Sequence, residues 1–217
     1  MDRIAEALAG LASRLGVAAA AVPVEGARPS HVDSDRAARM AIALARPVAG
    51  ADDRPPLERH ADGRPVWPRD VTGSIAHTDT VAVAAVSLRT ERIAAVGVDV
   101  ERAAALPAED AVVVLAADER ARVAAHDRPD WFATLVWSAK ESAFKAWSHA
   151  TDGGLGDVDP VDIVVEIDER TASLRVTAHG PLAKAVAPFG AAVGAYAEAD
   201  GAVLTLVVVA PPGSAAG

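Results

Sequence analysis

Two short stretches of this chain carry residue types that together suit phosphoryl chemistry. Asp99 and Glu101 are separated by one residue, so in a strand both carboxylates lie on the same face. Glu141 and Lys145 are four residues apart, so in a helix their side chains meet. Three carboxylates that bind Mg²⁺ and a lysine that stabilises a transferring phosphoryl group would form a metal-assisted site. Taken separately, the two stretches also fit an exposed strand end and a solvated helical ion pair.

A third stretch, residues 63–78, places a histidine beside a proline-rich loop. A G-x-P-x-W-P segment is followed by G-S-x-x-H, which ends at His77. A buried, hydrogen-bonded histidine and a contact to phosphate both fit this position. Several arginines lie upstream, and each alone is compatible with a solvated surface charge. Together they would supply the local positive pocket that a polyanion needs. They are Arg28, Arg36, Arg39 and Arg59.

Composition excludes several classes of protein and site. The chain has 217 residues and a net charge of −9, which argues against a protein that coats nucleic acid or an anionic membrane. It contains no cysteine, which excludes disulfides and thiolate zinc sites. No apolar run reaches the roughly 18 residues expected of a membrane span. The acidic, amphipathic N-terminus is unlike a signal peptide, so we expect a cytoplasmic protein.

Hydrophobic periodicity and turn residues predict an α+β fold with mostly antiparallel sheets. We expect an irregular loop over 46–70 and another over 151–160, and a hairpin turn at Asp200-Gly201. The predicted helices cover 2–15, a segment capped by Ser34 or Asp35 and ending near Leu44, about 106–125, 129–149, and a short helix from Pro181. The predicted strands cover 17–24, 72–77, 81–88, 93–101, 161–167, 173–178, 190–199 and 203–210.

The three stretches together resemble the 4′-phosphopantetheinyl transferases, specifically the larger monomeric type that activates siderophore, peptide and polyketide synthases. The matching segments occur in the order G-x-P-x-W-P, G-S-x-x-H, G-x-D-x-E and [WF]-x-x-K-E-x-x-x-K-A. The resemblance covers roughly residues 25–210. Its paired G-x-D-x-E and K-E-x-x-x-K motifs, about 40 residues apart, are the specific part, since either motif alone would be a weak signal.

The resemblance implies a pseudo-twofold α+β fold with coenzyme A bound between an N-terminal half, 1–103, and a C-terminal half, 104–210, followed by a disordered tail, 211–217. It implies that Asp99, Glu101 and Glu141 hold Mg²⁺, with Mn²⁺ as the alternative ion. Glu141 would also act, directly or through water, as the base on a serine of an acyl or peptidyl carrier protein. Lys145 would stabilise charge moving toward the leaving 3′,5′-ADP.

The resemblance also assigns the coenzyme-binding residues. His77 falls on the histidine that contacts the 3′-phosphate, and Arg59 on the basic residue before the G-x-P-x-W-P segment. Arg28 and Arg36 fall near the upstream arginines of the family. Their alignment requires a gap of one residue, so Arg39 is an alternative to either.

Three positions depart from the family pattern. Thr78 stands where cysteine often follows the histidine, and Asp62 where a lysine usually precedes the glycine. The family's apolar, aromatic run after the second lysine is replaced by a polar, glycine-rich segment, 148–157. The choice of carrier protein therefore stays open. A non-catalytic coenzyme A-binding regulator and another metal-dependent phosphoester enzyme are the alternative functions.

Overall fold

The computed structural model describes residues 1–26, 29–46, 57–61, 63–103, 106 and 108–213, except the side chains of residues 108 and 109. Within these residues the chain forms two antiparallel sheets and six α-helices. The predicted α+β class with antiparallel pairing is therefore confirmed. Residues 47–56 of the loop predicted over 46–70 lie outside the described ranges, and so do Arg28 and Asp62.

The smaller sheet has three strands in the order β1-β3-β2, and the larger has five in the order β4-β8-β7-β6-β5. Every strand pair in both sheets is antiparallel. The strands are β1 (Ala18–Pro23), β2 (Val71–His77), β3 (Val81–Leu88), β4 (Ala95–Arg102), β5 (Ile163–Asp168), β6 (Ser173–Ala178), β7 (Ala192–Ala199) and β8 (Ala202–Val209).

The helices are α1 (Asp2–Leu15), α2 (His31–Ala45), α3 (Ala108–Val114), α4 (Ala117–Ala125), α5 (Pro129–Ala150) and α6 (Gly180–Val186), and one 3₁₀ turn covers Pro160–Asp162. Helices α2 and α5 each cover one face of a sheet, and α1 lies in the layer between the two sheets. None of the helices in the described ranges is both long and apolar enough to cross a membrane.

Three apolar cores stack these elements into layers. The first lies between α2 and the three-stranded sheet. The second fills the space between that sheet, α1 and one face of the five-stranded sheet, and contains Val98 and Val100 of β4. The third joins the opposite face of the five-stranded sheet to α5. Because successive strand residues point to opposite faces, Asp99 and Glu101 face α5, as the sequence pattern predicted.

Two sequence-based boundaries were wrong. The second helix begins at His31, and its cap is Ser30, whose hydroxyl accepts from the Asp33 backbone N–H while the Asp33 carboxylate accepts from Ser30. This reciprocal capping box satisfies free backbone donors one turn earlier than a cap at Ser34 or Asp35 would. The helix predicted to run to Ala125 is two helices, because Glu119 accepts from the Ala116 backbone N–H and starts a new helix there.

The remaining predicted elements agree with the structure to within a few residues. The turn at Asp200-Gly201 has positive φ at both positions, 48° and 72°, as a two-residue hairpin requires. The division into halves at residue 103 stays a prediction. Strand β4, which precedes that boundary, pairs with β8 near the end of the described chain.

Candidate active site

A close helix–strand contact brings the two informative motifs together. Helix α5 crosses β4 at Gly97, where a Cβ atom would lie only 1.8 Å from the Ser142 carbonyl oxygen. Only glycine permits this approach. Ser138 and Ser142 also hold α5 against the neighbouring strand β8, since both hydroxyls lie within 2.8 Å of the buried Thr205 Oγ1. The glycine of G-x-D-x-E thus sets the distance between its carboxylates and α5.

Lys145 reaches from α5 to the carboxylate of β4. Its Nζ lies 2.6 Å from Asp99 Oδ1 and 3.5 Å from the Val98 carbonyl oxygen. Burial alone would lower the pKa of Lys145, but Asp99, followed by Glu141 and Glu101, raises it above its usual value. Helical spacing favoured a solvated ion pair between Lys145 and Glu141. The structure instead pairs Lys145 on α5 with Asp99 on β4, whose side chain is only 6% exposed.

Two further carboxylates crowd this pair. Burial, and then the charges of Asp99 and Glu141, raise the pKa of Glu101 to about 7, while Lys145 and a hydrogen bond with Trp137 oppose the rise. Burial also raises the pKa of Glu141, with Asp99 contributing and Lys145 opposing. Carboxyl groups whose pKa is raised by their surroundings are suited to proton transfer.

The three carboxylates, Asp99, Glu101 and Glu141, have the chemistry of a site for a hard cation, but they do not already form a metal-binding cluster. Among the described residues, no three histidine, cysteine or acidic side chains are clustered tightly enough to hold a metal ion. The buried Asp99 Oδ2 nevertheless lacks a hydrogen-bond partner, and an unsatisfied buried oxygen is costly. Oxygen donors of this kind, with the remaining positions open to water and phosphate, fit Mg²⁺ or Mn²⁺.

A cavity of about 530 Å³ opens beside Lys145. Its walls come from α2, the segment 59–65, the end of β2, and the last turns of α5 with the glycine-rich segment that follows. Basic groups from all of these elements line it, so it suits a polyanion. These groups are His31, Arg59, Arg64, His77, Lys145 and His149. Of the four arginines predicted to form such a pocket, Arg59 alone is among its described lining residues.

A second cavity, of about 250 Å³, lies on the Glu141 side of the helix. Phe144 and Gly156 line both cavities, so the helix and the following segment separate them. The walls of the second cavity combine apolar with charged side chains, which are Trp137, Val158, Pro160 and Ile163 on the one hand and Lys140, Glu141 and Asp157 on the other. Glu141 therefore faces a different opening from the basic groups of the larger cavity.

The predicted coenzyme residues divide into two groups. His77 and Arg59 line the larger cavity. His77 is exposed at the end of β2, which excludes the buried-histidine interpretation. Arg59 donates to Asp35 Oδ1 at 3.2 Å, so α2 holds its side chain.

Arg36 has other partners in this structure. Its guanidinium pairs with Glu25, the Pro23 carbonyl and Asp33 at the start of α2, and it is absent from the described lining of the larger cavity. Arg39 lies in the middle of α2, and Arg28 lies outside the described residues. The roles assigned to these three arginines stay predictions.

Sequence analysis missed three basic residues of the cavity. His149 lies four residues after Lys145, so helical spacing alone places both on one face. Arg64 occupies the variable position of G-x-P and packs against Gly153, where a Cβ atom would lie 2.3 Å from its Nη2. His31 follows the unrecognised cap Ser30. The first two signals were present in the sequence, whereas the third depended on the correct helix start.

Comparison with known proteins identifies the family of the chain. The family model described as the 4′-phosphopantetheinyl transferase superfamily matches residues 95–197, and the 4′-phosphopantetheinyl transferase N-terminal domain matches residues 20–87. The chain is 31% identical to 4′-phosphopantetheinyl transferase Npt of Nocardia iowensis over 195 residues, covering 86% of this chain and 84% of Npt. The chain belongs to the 4′-phosphopantetheinyl transferase family.

Other relatives of this phosphopantetheinyl transferase family member match over shorter spans. It is 35% identical to 4′-phosphopantetheinyl transferase Svp of Streptomyces mobaraensis, over 74% of this chain and 65% of Svp. It is 38% identical to enterobactin synthase component D of Escherichia coli (strain K12), over 43% of this chain and 45% of that protein. The chain thus spans less than two thirds of the length of these two relatives. A solved structure, the holo-[acyl-carrier-protein] synthase of Thermotoga maritima, matches with a TM-score of 0.44 and 21% identity over 55% of this chain and 64% of that one.

Proposed function

We propose that this protein transfers the 4′-phosphopantetheine group from coenzyme A to a serine of an acyl or peptidyl carrier protein, releasing 3′,5′-ADP. Family membership supports the reaction class. The observation that carries the proposal is the position of the Asp99–Lys145 pair and Glu141 at the boundary between the larger, basic cavity and the second cavity.

The larger cavity suits the nucleotide part of coenzyme A. Arg59 and Arg64 from one side, and His77 and His149 from others, offer donors to its phosphates. Arginine and histidine bind phosphate oxygens through charge-assisted hydrogen bonds. We assign the 3′-phosphate to the neighbourhood of His77, because this side chain is exposed toward the cavity at the end of a rigid strand.

The chemistry of the proposed reaction needs one proton acceptor and one stabilising cation from the protein. The carrier serine Oγ forms a bond to the β-phosphorus, and the bond from that phosphorus to the bridging oxygen of the diphosphate breaks. The serine proton passes to Glu141, whose raised pKa suits a general base. Lys145 lies where its ammonium stabilises the charge gained by the departing 3′,5′-ADP.

Asp99, Glu101 and Glu141 are the residues that would hold Mg²⁺ or Mn²⁺. When bound, the ion neutralises the charge of the diphosphate oxygens. In the protein itself, the unpartnered Asp99 Oδ2 and the Glu101 carboxyl, whose pKa is raised by burial and then by the charge of Asp99, are the features that a cation would relieve.

The direct test is incubation of apo carrier proteins of the fatty-acid, polyketide and peptide types with coenzyme A and Mg²⁺, followed by intact mass measurement. We expect a gain equal to the mass of phosphopantetheine on at least one carrier. A carrier whose acceptor serine is replaced by alanine is the matched control and should gain nothing. Failure with every carrier type, despite measurable coenzyme A binding, would favour the non-catalytic regulator.

A further inference from the structure

A second lysine of the K-E-x-x-x-K motif has no part in the reaction proposed above. Lys140 immediately precedes Glu141 but points away from Asp99, and its side chain is 1% exposed. Its Nζ lies 2.6 Å from Glu119 Oε2, 2.7 Å from the Val114 carbonyl oxygen and 2.9 Å from the Pro160 carbonyl oxygen. An ammonium has three donors, so each one has a partner.

The carboxylate partner of Lys140, Glu119, also has a hydrogen bond at each of its oxygens. Glu119 is fully buried, and its two oxygens accept from the backbone N–H groups of Ala116 and Val165 at 2.9 and 3.2 Å. One buried ion pair therefore connects the end of α3, the start of α4, helix α5, the 3₁₀ turn and the start of β5. Burial lowers the pKa of Lys140, with Glu119 opposing.

The location of this pair gives it a consequence for the site. Lys140, Glu141 and Pro160 all line the second cavity, and the Lys140 Nζ donates directly to the Pro160 carbonyl oxygen. The segment 156–160 forms the wall of that cavity across from α5. It comes at the end of the polar, glycine-rich stretch that departs from the family pattern, and its glycines make an unsupported backbone flexible.

We propose that Lys140 is a positioning residue that holds the segment 156–163 opposite Glu141, and so sets how the acceptor serine meets its base. This inference rests on the proposed function. A buried ion pair is often replaceable by apolar side chains without loss of stability, so stability alone does not explain why a charged pair occupies this place. Errors of about 1 Å in the position of reacting groups cost up to about a hundredfold in rate.

Three variants separate positioning from stability. Lys140→Met/Glu119→Met removes the ion pair and the hydrogen bond to Pro160. Glu119→Gln removes the charge pair but leaves Lys140 its two carbonyl partners. Arg122→Met is the matched control, because Arg122 Nη2 donates to the Val165 carbonyl at 2.9 Å and also ties α4 to β5, without a contact to Pro160.

For the double variant we expect kcat to fall and the KM for the carrier to rise, together lowering kcat/KM by tenfold to a hundredfold, with the KM for coenzyme A unchanged. Amide hydrogen exchange at residues 161–165 should accelerate in the same variant. Glu119→Gln and Arg122→Met should keep the carrier KM within about twofold, even where their melting temperatures fall.

Equal carrier kinetics in all variants, or unchanged exchange in the double variant, would overturn the positioning role while leaving the proposed function intact. A rise in the coenzyme A KM as large as the rise in the carrier KM would also overturn it, since the wall would then serve the coenzyme. Absence of transfer by the unaltered protein would instead remove the proposed function, and this inference with it. If the double variant does not fold, Lys140→Met/Glu119→Gln gives the same comparison, because the amide oxygen at position 119 still accepts one of the two backbone N–H hydrogen bonds.

Discussion

Two lysines on one helix, five residues apart, have opposite environments. Lys140 is enclosed by carbonyl oxygens and one carboxylate, and burial lowers its pKa. Lys145 borders the larger cavity, and a cluster of three carboxylates raises its pKa. The same motif thus supplies one lysine that organises backbone segments and one that is available to an anionic ligand. Side-chain type does not distinguish them, but the groups around each ammonium do.

The strongest test of this distinction removes the residue between the two lysines. Glu141→Gln keeps the size of the side chain but eliminates the proposed base, so the rate of transfer should fall by about 10²–10⁴-fold. Because the proposed phosphate contacts come from other residues, coenzyme A affinity without metal should change little. Single-turnover transfer and calorimetric binding measure the two effects. Transfer at a normal rate would place the base elsewhere.

Replacement of each lysine by methionine should produce different defects. Lys145→Met should lower transfer about a hundredfold or more, since it removes charge stabilisation at the reaction centre. It should cost less stability than Lys140→Met, because the Lys145 side chain is 26% exposed and that of Lys140 only 1%, although it too leaves a buried carboxylate, Asp99, without its cation. Lys140→Met should cost about 3–5 kcal/mol of stability, because Glu119 is left as an unpaired buried charge. Urea unfolding and transfer kinetics of both variants make the comparison. Similar stability losses in the two variants would contradict it.

The sequence predicts the parts of this arrangement that depend on local residue spacing, but not those that depend on contacts between distant residues. The alternation in G-x-D-x-E correctly placed Asp99 and Glu101 on one face, and helical spacing correctly gave α5 its length. The same spacing favoured a Glu141–Lys145 ion pair, whereas Lys145 binds Asp99 on β4. That outcome depends on how closely α5 approaches Gly97, and a tertiary distance is not encoded in helical periodicity.

Lys140 shows the same limit more clearly. Its partners, Val114, Glu119 and Pro160, lie between 20 and 26 residues away in the chain, and none forms a spacing pattern with it. The break between α3 and α4 was missed for a related reason, since it contains neither glycine nor proline. Sequence analysis therefore identified the candidate chemical residues better than the contacts that hold them in place.

A smaller effect is expected at the basic cavity. His77→Ala should weaken coenzyme A by about tenfold, the typical contribution of a charged hydrogen bond, and should leave 3′-dephospho-coenzyme A nearly unaffected. His149→Ala is the matched comparison, because it removes a histidine from the opposite wall of the same cavity. Calorimetry with both ligands distinguishes the two. Equal losses for the two ligands in His77→Ala would remove its assignment to the 3′-phosphate.

The smallest predicted effect is a pH dependence of stability that contrasts the carboxylate cluster with the Lys140 pair. The pKa of Glu101 is about 7, against an ordinary value of 4.5. Between these values the folded protein binds more protons than the unfolded chain, so the contribution of Glu101 to the free energy of unfolding falls as pH rises from about 4.5 to 7. Burial instead lowers the pKa of Lys140 from its ordinary value near 10.5, so the contribution of Lys140 has the opposite sign and rises with pH toward that value.

Thermal unfolding in EDTA at pH 5 and pH 7.5 measures this effect in the unaltered protein and in Glu101→Gln, which is matched in size but does not titrate. We expect a smaller decrease in melting temperature between the two pH values for the variant. Added Mg²⁺ should oppose the decrease in the unaltered protein, because a cation favours the deprotonated carboxylates. An identical pH response in both proteins would show that the surroundings of Glu101 do not destabilise its charged form. The environments of Lys145 and Lys140 would then differ in geometry but not in their electrostatic effect.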